Sequence, residues 1–138
     1  MDSATLRSPI NILNPPKPIC VEYGTKVKEV IEIMQENRCG CVCVVDQEKL
    51  VGIFTERDVL KKVVGHRKGL QDINIEEVMS PNPEYLYEDD EIAFALNRMH
   101  VGGFRHVPLI NLDGKPVAVI SVKDIVAHLM KSLDVKVQ

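Results

Sequence analysis

Gly52-Ile53-Phe54-Thr55-Glu56-Arg57-Asp58 is the stretch that decides the fold. Val51, Ile53 and Phe54 read as the end of a buried strand. Thr55 stands where a helix N-cap stands, and Val59, Leu60, Val63 and Val64 follow at helical spacing. A hydroxyl and a carboxylate three residues apart therefore meet at a strand-to-helix junction. The arrangement returns at Ala118-Val119-Ile120-Ser121-Val122-Lys123-Asp124, followed by Ile125, Val126, Leu129 and Met130.

Working back from Thr55, Leu50 to Phe54 and Val42 to Val45 are two strands joined by the turn Asp46-Gln47-Glu48-Lys49, a hairpin. Before it, Thr25 is expected to cap a helix with Val27, Val30, Ile31 and Met34 on one face, ended by Arg38-Cys39-Gly40. Ile19-Cys20-Val21 is a short strand. Asn14-Pro15-Pro16-Lys17-Pro18 breaks any regular element, because prolines lack a donor and restrict their predecessors. Ile10 to Leu13 is a short apolar segment behind a polar lead-in. A helix from about Glu56 to Val64 and the loop Gly65 to Gly69 close this half.

The pattern then restarts. Ile75, Val78 and Met79 echo Ile10 and Leu13, and Ser80-Pro81-Asn82-Pro83 echoes the proline break. Asp90 is expected to cap a helix carrying Ile92, Ala95, Leu96 and Met99, which are Val27, Val30, Ile31 and Met34 moved by 65 residues. Val107 to Ile110 keeps that offset. The turn Asn111 to Lys115 is one residue longer, and Thr55 and Asp58 map onto Ser121 and Asp124 at 66. Register held across helices, strands and breaks points to an internal duplication.

The expected fold class is α/β (α+β), with two β-α-β-β-α repeats packed sheet to sheet about a pseudo-twofold axis. Neither half hides enough surface to stand alone. The expected domains are a first repeat at 10–64, a linker at 65–74, a second repeat at 75–130, and tails at 1–9 and 131–138. Pro108 inside the second repeat's strand calls for an edge or a bulge there.

The chain has 138 residues, a formal charge of −3, no Trp and few aromatics, so its core must be mostly aliphatic. The charge argues against a general nucleic-acid binder. No apolar run has the roughly 18 residues of a membrane helix, and the N-terminus lacks a signal-peptide layout, so a cytoplasmic location is expected. Cys39, Cys41 and Cys43 alternate, with Cys20 apart. They read as small buried strand residues, with a thiol or metal site on Cys39, Cys41 and Cys43 as the alternative, although paired CxxC motifs are missing.

Gly-Ile-Phe-Thr-Glu-Arg-Asp at 52–58, Phe-Arg-His-Val-Pro-Leu-Ile at 104–110 and Ile-Ser-Val-Lys-Asp at 120–124, in order and in register with a duplication, resemble a tandem pair of cystathionine-β-synthase (CBS) domains, the Bateman module. The small size is similar to that of stand-alone CBS-pair proteins. The resemblance implies a regulatory module that binds an adenine-containing ligand such as AMP, ADP, ATP, NAD or S-adenosylmethionine in the cleft between repeats. It implies signalling through helix packing in a homodimer and a protein target of unknown identity. No catalytic residue, required cofactor or metal is expected, the adenine nucleotide being a regulatory ligand.

Carried onto this sequence, the resemblance makes Asp58 and Asp124 the ribose ligands, with Thr55 and Ser121 on ribose or phosphate. A carboxylate accepts both hydroxyls of a ribose through charge-assisted hydrogen bonds. A helix N-terminus suits phosphate. Gly52 lets a base approach the backbone, and Arg57, Arg105 and His106 would neutralise phosphate; Lys123 completes the expected set. Ile19 to Val21 and Glu84 to Leu86 would sandwich the adenine, and Tyr85 and Tyr87 offer rings. Ala118 stands where the pattern has Gly, so the first site is expected to be the tighter.

Thr/Ser followed three residues later by an acid is also a helix capping box needing no ligand. The competing reading is therefore a structural or protein-interaction module with vestigial pockets. An enzyme is not expected: no nucleophile has an evident base, and the four histidines show no ligand spacing.

Overall fold

The computed structural model describes residues 3–137. In chain order its helices and strands are α1 (Ser3–Arg7), β1 (Cys20–Glu22), α2 (Val27–Asn37), β2 (Cys41–Asp46), β3 (Lys49–Thr55), α3 (Glu56–Asp58), β4 (Ser80–Pro81), α4 (Ile92–Gly102), β5 (His106–Ile110), β6 (Pro116–Ser121) and α5 (Val122–Val137). The fold is mixed α and β, as expected. Of the expected tails, Met1, Asp2 and Gln138 lie outside the described residues. Within the stretches expected as tails, α1 lays Leu6 against a core, and α5 runs to Val137.

Two compact units form. One gathers Pro18–Pro83 with Leu112–Pro116; the other gathers the chain up to Lys17 with Glu84–Asn111 and Val117 onward. The first holds a sheet in the order β1-β2-β3-β4, with β1 parallel to β2 and the other neighbours antiparallel. Its core packs Val27, Val30 and Met34 of α2 against Val42, Val44 and Phe54. In the second unit Ile92, Ala95 and Met99 of α4 pack against Val107, Leu109 and Ile120. Ile31 and Leu96, one repeat apart, are only partly buried in both.

The helix starts correct the expected caps. Thr25 does not cap α2; its hydroxyl donates to the Glu22 carbonyl at 2.6 Å. The first N–H of α2, on Val27, goes to Ile73 O at 2.8 Å, and Ile75 N–H returns to Thr25 O at 2.8 Å. Asp90 does not cap α4 either; its carboxylate takes the Tyr87 N–H. Ile92 N–H goes to Ser8 O and Ile10 N–H to Asp90 O, at 3.0 and 2.9 Å. Main-chain partners thus replace both caps, which is one way to satisfy the orphan donors of a helix start. The 65-residue offset relates the two sets bond for bond, and each partner segment precedes the opposite repeat in sequence.

The β2–β3 turn places Gln47 and Glu48 at φ 51° and 69°, both left-handed, as a two-residue primed turn requires. Pro108 behaves as expected, for a reason the duplication makes specific. In the first unit Cys43 N–H donates to Ile19 O at 2.9 Å and β1 forms. Sixty-five residues on, Cys43 becomes Pro108, which has no N–H. At the matching segment, Glu84 to Leu86, pairing shrinks to one parallel bridge, Leu86 to Leu109, with Leu86 N–H on Pro108 O at 3.0 Å.

The expected helix at 56–64 is shorter and irregular. After α3 the residues Val59–Val63 wind as a π-helix, and Val64 N–H closes on Val59 O at 2.9 Å. Gly65, at φ 83°, ends it. At the same place in the second repeat, α5 continues.

Candidate functional site

β3 delivers Thr55 as the N-cap of α3 in an extended conformation. Asp58 Oδ2 accepts the Thr55 N–H at 3.0 Å and the Thr55 hydroxyl at 3.3 Å, and Asp58 N–H donates to Thr55 Oγ1 at 3.4 Å. Asp58 Oδ1 lies 3.3 Å from Lys62 Nζ, which also donates to Met79 O. Asp58 is 7% exposed and is the one buried charged residue among the described residues. Burying a carboxylate is costly unless it is paired and hydrogen-bonded, and here both oxygens are engaged.

The second junction repeats the design. Asp124 Oδ2 accepts the Ser121 N–H at 3.2 Å, and Asp124 N–H donates to Ser121 Oγ at 3.1 Å. Glu56 N–H on Gly40 O and Val122 N–H on Arg105 O tie the two helix starts down alike. The junctions differ in depth: Asp124 is half-buried, and His128 stands where Lys62 stands.

The expected site residues fall into two groups. Gly52, Thr55, Arg57 and Asp58 lie in one unit; Arg105, His106, Ser121, Lys123 and Asp124 lie in the other. Arg57, Lys123 and Arg105 are exposed and His106 is half-buried. Met79 Sδ faces the position a Cβ on Gly52 would take. Of the two segments expected to sandwich the adenine, Val21 and Leu86 are core residues, while Cys20, Glu84 and Tyr85 are exposed. Tyr85 and Tyr87 pack edge to face, centroids 5.9 Å apart.

Lys62 is a residue that the sequence reading did not assign to the site. Its signal was present, since Asp58 and Lys62 are four apart on one helical face. A cavity of about 530 Å³ lies on the flank of α2 and the turn after Thr55, lined by Ile31, Met34, Gln35, Arg38, Cys39, Glu56, Val59 and Leu60. Neither Thr55 nor Asp58 lines it. Its walls are mostly apolar helix flank with Gln35, Arg38 and Glu56 among them, so the cavity belongs to a helix face and the Asp58 carboxylate lies elsewhere.

The three-cysteine alternative loses its geometry. Cys39 precedes β2 and packs against the core beside α2, while Cys41 and Cys43 sit within β2. Among the described residues no group of three His, Cys, Asp or Glu side chains could hold a metal ion. Burial, helped by Cys39 and the Asp58 carboxylate, pushes the Cys41 thiol up to about 12. No helix among the described residues is long and apolar enough to cross a membrane.

A duplicated strand–turn–helix module with a carboxylate at each helix start defines the class. The family model of the CBS domain matches twice, at residues 12–65 and 75–131, and the chain belongs to that family. A CBS domain-containing protein of Arabidopsis thaliana, CBSCBSPB5, is 40% identical over 89 residues, which cover 64% of this chain and 16% of the relative. The chain thus spans about one sixth of that relative's length. The CBS domain pair of protein MJ0100, solved with 5′-methylthioadenosine and S-adenosyl-L-methionine, superposes with a TM-score of 0.82 at 22% identity, covering 91% of this chain and 98% of that one. The CBS domain protein PAE2072 of Pyrobaculum aerophilum, solved with AMP, gives 0.77 at 23% identity, covering 89% and 98%.

Proposed function

We propose that the chain is a cytoplasmic regulatory module that binds an adenine-containing ligand and acts without catalysis. Asp58 is the observation that carries this reading: a buried carboxylate at a helix start, repeated as Asp124. A carboxylate has about four acceptor positions. Thr55 occupies those of Oδ2, and Lys62 holds Oδ1 through a half-exposed side chain. Moving Lys62 aside frees Oδ1 for a ribose diol and leaves its ammonium for phosphate. Arg57 serves the first site, Gly52 lets the base close in, and Arg105, His106, Ser121 and Lys123 serve the second with Asp124. The complexes of MJ0100 and PAE2072 with adenine-containing molecules support the ligand class.

The module works as a homodimer through its helix faces. Leu60 and Val64 are 73% and 66% exposed, and their counterparts Val126 and Met130 are 47% and 52% exposed. Apolar exposure recurring at matched positions fits a self-complementary contact. Ligand shifts helix packing only through unequal affinity for two states, and a protein target reads the shift.

The test is a set of melting curves with AMP, ADP, ATP, NAD and S-adenosylmethionine, on the native chain and on Asp58→Ala. A ligand at 100 times its dissociation constant adds about 2.7 kcal/mol. The shift is taken relative to each protein's own melting point, because Asp58→Ala also loses a cap. A shift confined to the native chain supports the first site. No shift from any of the five ligands favours the second reading, an interaction module in which both closed capping boxes are purely structural.

A further inference from the structure

Cys20 and Cys43 stand in register on the adjacent parallel strands β1 and β2. Registered residues project to the same face, on strands about 4.8 Å apart. That spacing falls within the Cα separation of about 4.4–6.8 Å that a disulfide spans. The two side chains are close enough to influence one another's titration. Cys20 is exposed and Cys43 is fully buried. The pair therefore combines an accessible sulfur with a sheltered one behind it.

Their surroundings divide the roles. The neighbouring Cys43 side chain holds the Cys20 thiol below its usual range; Lys115 adds to this, while burial and Glu22 oppose it. The Cys20 side chain and burial hold the Cys43 proton on. The other cysteines are placed differently. Cys41 registers with Thr55 on β3, and Cys39 lies off β2 against α2.

We propose that Cys20 and Cys43 are an oxidisable dithiol that low-molecular-weight disulfides close into an intrachain Cys20–Cys43 disulfide. The Cys20 thiolate attacks one sulfur of the external disulfide, whose S–S bond breaks and releases one thiolate. The mixed disulfide on Cys20 is then attacked by Cys43, which yields its proton to solvent and expels the second external thiolate. Two protein thiols lose two electrons and two protons, and the external disulfide becomes two thiols. Because Cys43 holds its proton, the second step is the slower and the mixed disulfide precedes closure. The closed form ties β1 to β2 around α2. It is independent of the nucleotide reading.

The test treats the reduced full chain with glutathione disulfide, blocks remaining thiols with N-ethylmaleimide and maps peptides by mass. The expected product lacks two hydrogens, links the Cys20 and Cys43 peptides, reverts with dithiothreitol and melts higher than the reduced chain. Cys39→Ser leaves it intact. Cys20→Ser abolishes it, and Cys43→Ala stops at a stable glutathione adduct on Cys20. A stable adduct on the native chain, a link through Cys39 or Cys41, or a link between two chains overturns the proposal.

Discussion

Lys62 Nζ lies 3.3 Å from Asp58 Oδ1, four residues along a segment that is π-helical rather than α-helical. The lysine side chain is 39% exposed and the aspartate 10%, so the pair sits where solvent screens one partner and hardly reaches the other. Lys62→Met leaves Asp58 to Thr55 alone. The expected loss is about 1 kcal/mol, the upper end for a partly exposed pair, read as a lower urea midpoint at unchanged slope. The native chain loses stability with added salt, and the variant loses less. On the nucleotide reading, adenosine binds Lys62→Met more tightly than the native chain, while AMP gains less because it also loses an ammonium.

The hairpin turn between β2 and β3 gives a prediction of the opposite sign. Gln47 and Glu48 both adopt positive φ without a glycine. Replacing them with Asn-Gly, the preferred pair for this turn, raises stability by about 1 kcal/mol. Glu48 also pairs with Lys115 at 3.3 Å, but both side chains are exposed, so losing that contact subtracts little. Urea unfolding of the double variant checks it.

Pro108 is a test of the duplication itself. Pro108→Val restores the donor that Cys43 supplies to Ile19 in the first unit. One more hydrogen bond contributes about 1 kcal/mol, and losing a proline costs about 0.4–1 kcal/mol through the unfolded chain. The two nearly cancel, so a melting curve barely moves. Hydrogen exchange reads the change directly: the new amide at 108 exchanges slowly if it pairs with Glu84, and at the rate of a free amide if the bridge stays as it is.

The sequence carried the repeat because side-chain periodicity and proline breaks leave a pattern. Val27, Val30 and Met34, shifted to Ile92, Ala95 and Met99, share the same burial, and the Thr55–Asp58 bonds reappear at Ser121–Asp124. What stayed hidden is held by main-chain atoms. The bonds from Val27 to Ile73 and from Ile92 to Ser8 have no side-chain signature, so Thr25 and Asp90 passed for caps. Strand pairing across sequence was equally hidden, which is why Cys20 looked isolated while Cys39 looked grouped with Cys41 and Cys43. Lys62 was legible by spacing, four residues from Asp58 on one helical face.

Burial of Cys41 predicts a fall in stability at alkaline pH. Its thiol rises from an ordinary 9.0 to about 12 in the folded chain. Below the ordinary value both states hold the proton and stability does not depend on this group. Between that value and the folded one, the unfolded chain releases a proton the folded chain keeps. Stability then falls by up to about 1.4 kcal/mol per pH unit. Cys43, also held protonated, steepens the fall. Urea midpoints measured from neutral to alkaline pH give the slope, and Cys41→Ala reduces it by the Cys41 share.

Gly52→Ala makes the first repeat resemble the second, where Ala118 is buried at the matching position. The two surroundings are not equivalent. Met79 Sδ faces Gly52, whereas the residue 65 positions before Met79 is Asn14. A new methyl must push the methionine aside, an overpacking cost of about 1–2 kcal/mol, moderated because the thioether is flexible. Met79→Ala leaves a cavity by itself but makes room for the new methyl. The double variant is therefore more stable than the sum of the two single losses, and the coupling appears in a double-mutant cycle. Additive losses would mean that Met79 does not confine Gly52. On the nucleotide reading, Gly52→Ala also weakens the ligand-induced melting shift, and restoring room with Met79→Ala does not recover it, because the methyl still stands where the base approaches.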